Sequence, residues 1–176
     1  GLSIEPRSIK DVINDIGLNL DLRKIRNFDS PEILIAGCGT GQHAITTATK
    51  YKKSKILALD LSFKSLSYAK RKAEELNINN IDFIQGDILD LKSLDKKFDI
   101  IESVGVLHHM DNPFLGLQIL TSCLKNDSLM QIGLYSEKAR QHIIQIKKKI
   151  NKFKLQSNYK NIIKFRKDLS ESNNDQ

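Results

Sequence analysis

A glycine-rich segment in the first quarter of the chain has the composition of a ligand-binding loop. Residues 37–42 read GCGTGQ and directly follow the apolar run 33–36. Glycines let a backbone turn sharply and approach a ligand closely, and the N–H groups at a helix start attract polar or anionic groups. We therefore predict a strand, a binding loop and a helix in that order. The alternative is an ordinary tight turn that holds no ligand.

Two carboxylates follow the next two apolar runs. Asp60 comes 19 residues after Gly41, and Asp87 follows the run 81–84 and Gly86. An acidic side chain at this distance can accept hydrogen bonds from both hydroxyls of a ribose. Since the carboxyl ends of parallel strands meet at one edge of a sheet, the loop and both carboxylates predict one crevice for a nucleoside ligand. Each aspartate alone also has a local explanation, Asp60 near a helix N-terminus and Asp87 in a turn.

The elements that must position these residues alternate regularly. Short apolar runs lie at 33–36, 55–59, 81–84, 98–104 and 129–135, with amphipathic helical stretches between them. This alternation predicts an α/β fold, a Rossmann-like, doubly wound and mainly parallel sheet with helices on both faces. We expect residues 1–30 to form an N-terminal helical segment, 31–136 the cofactor-binding core, and 137–176 a basic amphipathic helix with a polar tail.

The spacing of the glycines separates two classes of nucleotide-binding enzyme. A dinucleotide-binding loop has the pattern G-x-G-x-x-G, which needs glycine at position 42, where this chain has Gln42. The observed G-x-G-x-G resembles motif I of the class I methyltransferases, which bind S-adenosylmethionine. The segments ILALDLS, FIQGDILDL and FDIIESVGVLHHMDNP also resemble that family and occur in its order. The resemblance covers roughly residues 31–136.

This resemblance implies direct displacement of the methyl group of S-adenosylmethionine by a small-molecule or protein acceptor, without a covalent enzyme intermediate. Positioning would then supply most of the catalysis. The residues implied to bind the cofactor are Gly37, Gly39, Gly41 and Gln42 near the methionine part, Asp60 with the adjacent Leu61 at the ribose, Asp87 and Ile88 at adenine, and Ser103 and Val104 near the sulfonium.

Two features depart from the family pattern. Many members carry Asp or Glu two residues before the first glycine, where this chain has Ile35, so the cofactor ammonium would lose a usual indirect anchor. We hypothesise that Gln42 or the region of Ser103 compensates. The family's sheet normally ends in an antiparallel strand pair, which the sequence does not predict here, and the first residue is not Met. We therefore expect a piece of a longer protein, and residues 33–42 and 104–113 resemble methyltransferase domains that follow tetratricopeptide repeats in some bacterial proteins.

The candidate for general-base catalysis is His108. An imidazole near the methyl group could take a proton from an attacking O–H or N–H nucleophile. Adjacent side chains usually point in different directions, so the alternative is that one of His108 and His109 packs under the loop and the other is solvated. Cys38 could be activated by the nearby helix N-terminus, although a small buried residue fits its position better.

Composition sets the remaining expectations. With 176 residues, 40% hydrophobic and 28% charged, the chain has the make-up of one globular domain. No apolar run approaches the roughly 18 residues of a membrane span, and the start lacks a signal-peptide pattern, so we expect a cytoplasmic protein. The two cysteines and four histidines show no metal-ligand spacing, which predicts neither a metal site nor a disulfide framework.

The net charge of +7 comes from one segment. Residues 138–167 contain 11 Lys and Arg and no acid. Such a segment favours contact with phosphates or an anionic membrane, which leaves a noncatalytic module binding nucleic acid or membrane as one alternative. The simpler explanation is a solvated helix face. A nicotinamide-dependent oxidoreductase is the other alternative, and Gln42 disfavours it.

Overall fold

The computed structural model describes residues 5–17, 20–21, 29–51, 53–136, 138–152 and 158–172. They divide into two compact units, one up to Leu134 and the other from Tyr135. In the first unit the strands are β1 (Glu32–Ala36), β2 (Lys55–Asp60), β3 (Ile81–Gln85), β4 (Phe98–Val104) and β5 (Leu124–Gly133). Its helices are α1 (Ile9–Asp15), α2 (Gln42–Lys50), α3 (Phe63–Glu75) and α4 (Pro113–Ser122), and the second unit contains α5 (Gln141–Lys152) and α6 (Tyr159–Ser172).

The five strands form one sheet in the order β3-β2-β1-β4-β5, and each neighbouring pair is parallel. The chain enters at the centre with β1, runs outward to β3, and returns to the other side of β1 with β4. The strand order therefore reverses between β1 and β4, where open α/β sheets bind ligands. The predicted doubly wound fold is confirmed. Among the described residues after β5, none belongs to a further strand.

Both faces of the sheet are covered, as the apolar runs predict. Residues 33–36 of β1 are all 0% exposed, which is typical of a strand buried on both sides. On one face Ile33 and Ile35 pack with buried residues of α1, α2 and α3. On the other face Leu34 and Ala36 pack with α4 and with 3₁₀ turns at Ile88–Ser93 and Leu107–His109.

The predicted N-terminal helix is present as α1. Ser8 caps it, since its hydroxyl oxygen accepts the Asp11 N–H at 3.2 Å while the Asp11 carboxylate accepts the Ser8 N–H at 3.3 Å. This reciprocal pair is a capping box. The helix buries Ile9, Val12 and Ile13 against the sheet. Much of the rest of the predicted segment 1–30 lies outside the described residues.

The fifth strand begins earlier than the sequence pattern predicts. The apolar run predicts a strand at 129–135, but β5 already pairs with β4 at Leu124. Phe98 pairs with Leu124, and the next pair in register is Ile100 with Leu129. Residues 125–128 therefore form an irregularity within the strand. Asp127 has φ of 58°, a left-handed conformation that Asp tolerates and that lets the extra residues leave and rejoin the ladder.

The basic C-terminal region contains two described helices, where we predicted one long helix. A new helix begins after Asn158 because the Asn158 side-chain oxygen accepts the Asn161 N–H at 2.9 Å, as an N-cap does. Helix α6 continues to Ser172, further than predicted from the polar composition. Within the described part of the chain, no helix has the length and apolar character to cross a membrane.

Candidate active site

The predicted glycine loop joins β1 to α2. Gly37, Gly39 and Gly41 have φ of 84°, 53° and 85°, which is the left-handed region that favours glycine. The N–H groups of Gly37 and Cys38 both donate to the Leu59 carbonyl, at 2.8 and 2.9 Å, and this fastens the loop to the end of β2. Helix α2 begins immediately after Gly41, which has no side chain to cap its N–H groups.

The three glycines serve different spatial needs. A Cβ at Gly37 would lie 2.3 Å from a methyl group of Val106, and one at Gly41 would lie 2.5 Å from the Cβ of Ala69. These two glycines permit close packing against the segment after β4 and against α3. At Gly39, by contrast, a Cβ would meet no described atom within 4 Å. Gly39 therefore leaves space beside the backbone, which a ligand can use.

Asp60 ends β2 and holds the glycine loop in place. Its carboxylate accepts the Gly39 N–H at 2.7 Å and the Ser62 N–H at 2.9 Å. A carboxylate offers about four acceptor positions, so about two remain for the hydroxyls of a ligand. Asp60 therefore has the local role near a helix N-terminus that was the alternative explanation. This role is compatible with the predicted contact to a ribose.

Asp87, at the end of β3, also combines a local hydrogen bond with a place at the candidate site. Its carboxylate accepts the Leu89 N–H at 2.9 Å and caps the 3₁₀ turn Ile88–Ser93. The Gly86 N–H donates to the Asp60 carbonyl at 3.1 Å, which brings the two strand ends together. The turn reading of Asp87 is correct, and the residue also borders the cleft described next.

A cleft of about 560 Å³ opens at the carboxyl ends of these strands. Five of the residues predicted from the sequence line it, and they lie on three successive strand-to-helix connections: Gly37, Asp60, Leu61, Asp87 and Ile88. The sequence reasoning missed much of the opposite wall, which the chain after β4 supplies: Val106, His109, Met110, Asp111, Asn112 and Leu115. Leu59, Gly86 and Leu89 complete the lining.

The lining of this cleft does not include the other predicted site residues: Gly39, Gly41, Gln42, Ser103, Val104 and His108. Gln42 is exposed at the start of α2, and Val104 is 44% exposed at the end of β4. Ser103 is 1% exposed, and its hydroxyl donates to the Ala36 carbonyl at 3.1 Å, so it links β4 to β1. The roles of all the predicted site residues toward a cofactor, including those that line the cleft, stay predictions.

The two adjacent histidines differ, as one of the two interpretations predicts. His108 is half-buried, whereas His109 is exposed and borders the cleft. The rings lie 4.2 Å apart between centroids and are inclined by 53°. The imidazole nearer to a ligand in the cleft is therefore that of His109, while the sequence alone pointed to His108.

A buried acid behind the loop escaped the sequence reasoning. Glu102 on β4 is 1% exposed, and its Oε2 accepts the Thr47 hydroxyl at 2.7 Å. The same oxygen lies 2.9 Å from Nε2 of His43. The nearby Glu102 carboxylate raises the pKa of His43 above its usual 6.5, although partial burial opposes the change. The available signal was a glutamate inside an apolar run, because buried acids almost always have a partner.

Cys38 is buried in the glycine loop and is not activated. Burial, with a smaller contribution from the nearby Asp60 carboxylate, raises the pKa of its thiol to about 12. The helix N-terminus does not offset these effects. The interpretation as a small buried residue is correct, and a nucleophilic role has no support.

Comparison with known proteins identifies the family. The family described as "Methyltransferase domain" matches residues 29–170. The chain is 36% identical over 121 residues to an uncharacterized protein of Synechococcus, covering 68% of this chain and 29% of that one. It is 32% identical over 117 residues to a probable (S)-tetrahydroprotoberberine N-methyltransferase of Papaver bracteatum, covering 66% and 32%. PKMT2 from Rickettsia typhi in complex with AdoHcy is a structural neighbour with TM-score 0.54 and 29% identity, covering 66% and 22%.

The parallel sheet, the glycine loop and these matches agree. The chain belongs to the methyltransferase-domain family and is a class I S-adenosylmethionine-dependent domain. The match places the chain with the methyltransferases and not with the nicotinamide-dependent oxidoreductases. The chain spans about a third of the length of the curated relatives that it matches.

Proposed function

We propose that the chain binds S-adenosylmethionine and transfers its methyl group to an acceptor by direct displacement. The observation that carries the proposal is the arrangement of the left-handed glycine loop, Asp60 and Asp87 on adjacent strand ends around one cleft. The loop lies where the strand order reverses, which is the usual ligand site of such sheets.

The residues present fit this cofactor. Gly39 leaves room for close approach of a ligand to the backbone, and the start of α2 offers N–H groups to a carboxylate. Asp60 retains about two acceptor positions for ribose hydroxyls. Leu61 and Ile88 provide apolar surface at the cleft, which suits a purine ring. When bound, S-adenosylmethionine would supply an electrophilic methyl group on a sulfonium sulfur.

The protein's own contribution is orientation and exclusion of water. The bonds from Gly37, Cys38 and Gly39 to β2 keep the loop rigid, so little ordering is needed on binding. Met110 and Leu115 shield the opposite wall of the cleft with apolar side chains. If proton transfer from the acceptor is needed, His109 is the cleft histidine to test, with His108 as its matched control.

For the acceptor we propose a nucleophilic nitrogen of a small molecule, with a protein side chain as the second class. The support is the identity to relatives whose names assign methyl transfer to nitrogen. Methyltransferases that modify exocyclic or amide nitrogens carry an N/D-P-P-Y/F segment at the end of the fourth strand. The end of β4 has no such segment here, which disfavours these nitrogens as acceptors. A panel of amines, hydroxyl compounds, carbon acceptors and peptides with radiolabelled S-adenosylmethionine tests this choice, and transfer only to oxygen or carbon acceptors would contradict it.

The first experiment is thermal unfolding with S-adenosylhomocysteine, with NADH as the control. A ligand at 100 times its Kd adds ~2.7 kcal/mol, which raises Tm by roughly 5–11 °C in a chain of this size. We expect this rise with S-adenosylhomocysteine alone, and a smaller one in Asp60→Asn. No rise in a cooperatively unfolding sample, or a rise with NADH only, would contradict the proposal.

The basic residues of the second unit support a second candidate role, contact with nucleic acid. Among the described residues of this unit, Lys and Arg lie on a 3₁₀ turn and on α5 and α6, and α5 combines Lys147 and Lys148 with Ile143 and Ile146. Retention of RNA that weakens with salt, and that is lost when Lys147, Lys148 and Lys149 are changed to Gln, would favour a nucleic-acid contact.

Two further predictions about context stay open to test. We infer a cytoplasmic setting from the two buried cysteines, which are both free. Fractionation of the source cells would test it. The predicted tetratricopeptide repeats upstream of the domain can be checked in the flanking reading frame.

A further inference from the structure

A buried polar cluster links the helix after the glycine loop to the central strand β4. It consists of the Glu102 carboxylate, the Thr47 hydroxyl and the His43 imidazole, and we call it the Glu102 cluster. Oε2 of Glu102 accepts from Thr47 at 2.7 Å and lies 2.9 Å from His43 Nε2. Glu102 and Thr47 are 1% and 2% exposed, whereas His43 is partly open to solvent.

The position of the cluster relates it to both walls of the candidate site. His43 and Thr47 lie one turn apart on α2, which starts directly after Gly41, so they share a face of that helix. Glu102 lies on β4, and the chain just after β4 supplies Val106 and His109 to the cleft. The cluster therefore joins α2, which follows the glycine loop, to β4, which precedes the lining residues Val106 and His109.

The buried Glu102 carboxylate needs its partners on α2 to remain stable. A buried carboxylate is costly unless it is paired and hydrogen-bonded, and removal of one partner leaves an uncompensated charge. The in-register neighbours of Glu102 on the flanking strands, Ile35 on β1 and Gln131 on β5, are uncharged. On α2, Lys50 lowers the pKa of His43, but this effect is smaller than that of Glu102. Tyr51, directly after α2, is buried, and burial followed by the charge of Glu102 raises its pKa to about 12 against a smaller opposing effect of Arg7, so it stays neutral.

We propose that Glu102 and His43 are positioning residues that hold the first turn of α2, and with it the glycine loop, in the geometry that binds the cofactor. This inference rests on the proposed function. It also revises the hypothesis that Gln42 or Ser103 compensates for Ile35, since the buried acid on this face of the sheet is Glu102, in register with Ile35. Thr47 keeps the carboxylate oriented toward α2.

The inference predicts that a proton on His43 and the ligand are linked. While His43 is protonated, the ion pair holds α2 most firmly. As pH rises through the raised pKa of His43, the charge is lost and ligand affinity falls. Linkage is reciprocal for binding free energies, so the ligand must raise the pKa of His43 by the same coupling. A merely structural contact would leave that pKa unchanged.

The test compares Glu102→Gln and His43→Gln with two exposed controls, Glu74→Gln and His142→Gln. Affinity for S-adenosylhomocysteine is measured by calorimetry from pH 6 to 9, with urea unfolding of each variant. The His43 pKa is measured by NMR with and without ligand, and His43→Gln assigns the resonance. We expect a Kd at pH 7 weaker by about fivefold or more in both cluster variants. The controls should match the wild type, and only the wild type and controls should lose affinity at high pH.

The outcomes separate the two levels of the argument. A wild type that does not bind S-adenosylhomocysteine overturns the proposed function and this inference with it. A wild type that binds, with cluster variants of lower stability but unchanged Kd and pH profile, overturns only the inference. If Glu102→Gln does not fold, His43→Gln carries the test, because its side chain is partly exposed and its loss leaves the Thr47 bond in place.

Discussion

Substitution of the loop glycines by alanine should separate packing from ligand contact. At Gly41 a Cβ would lie 2.5 Å from the Cβ and 3.1 Å from the Cα of Ala69, so the backbone of α3 must shift. A left-handed φ costs a non-glycine residue roughly 1–2 kcal/mol, and overpacking typically adds about 1–3 kcal/mol. We therefore expect Gly41→Ala to lower the free energy of unfolding by about 2–5 kcal/mol.

Gly39→Ala is the matched control, because Gly39 also has a left-handed φ but open space around the added methyl. Its expected loss of stability is only the conformational part, about 1–2 kcal/mol. With a urea m-value of about 2 kcal/mol/M, the midpoint should fall by roughly 1–2.5 M for Gly41→Ala and roughly 0.5–1 M for Gly39→Ala. Ligand affinity should respond in the opposite order, since the methyl at 39 fills the space left beside the loop.

A double-mutant cycle with Ala69→Gly tests the named contact. This change removes the closest atom but adds about 1 kcal/mol of intrinsic cost in the helix interior. If the clash is real, the double variant should be more stable than the sum of the single changes predicts, because contacting residues are not additive. Equal loss of stability in Gly39→Ala and Gly41→Ala, or strict additivity with Ala69→Gly, would refute the reasoning.

Three further predictions concern charges and thiols. Asp60→Asn should weaken S-adenosylhomocysteine binding, by calorimetry, because one acceptor oxygen that holds Gly39 or the ligand becomes a donor. Cys38 should resist a thiol reagent at pH 8 until the protein unfolds, since burial raises its pKa to about 12. Stability should fall in acid as pH drops below 4.5 through the folded pKa of Glu32, which the Lys125 bond lowers, and Lys125→Met should flatten this fall.

A specific result would contradict each of these three predictions. Unchanged affinity in Asp60→Asn would remove the carboxylate from the site. Rapid labelling of Cys38 in folded protein, detected by mass spectrometry of the modified peptide, would contradict its burial. An acid unfolding profile that is the same with Lys125→Met would show that the pairs of Lys125 with Glu32 and Asp99 contribute nothing to stability at this partly exposed position.

The sequence predicted the features that depend on local pattern. Continuous apolar runs such as 33–36 are typical of strands buried on both faces, and their alternation with helices leaves few topologies. The glycines, Asp60 and Asp87 were found because each directly follows a strand, and strand ends converge by geometry. These elements needed no knowledge of long-range packing.

The features that were missed depend on which residues meet across the fold. The bulge in β5 exists because Leu124 can already pair with Phe98, a fact that composition near Asp127 does not contain. The choice of His109 over His108 at the cleft depends on how a short 3₁₀ turn orients two adjacent rings. Neither result follows from the period of the local sequence.

The Glu102 cluster shows why a residue missing from a motif need not mean a missing charge. Ile35 occupies a position where the family resemblance suggests an acid, and inspection along the chain finds no neighbour to replace it. In the sheet, Ile35 is paired in register with Glu102, 67 residues later, so the acid lies one strand away on the same face. A site of this fold is assembled across parallel strands, and the test of a motif position should therefore include its register partners. On that criterion the described site has its buried carboxylate next to the loop, supplied by β4.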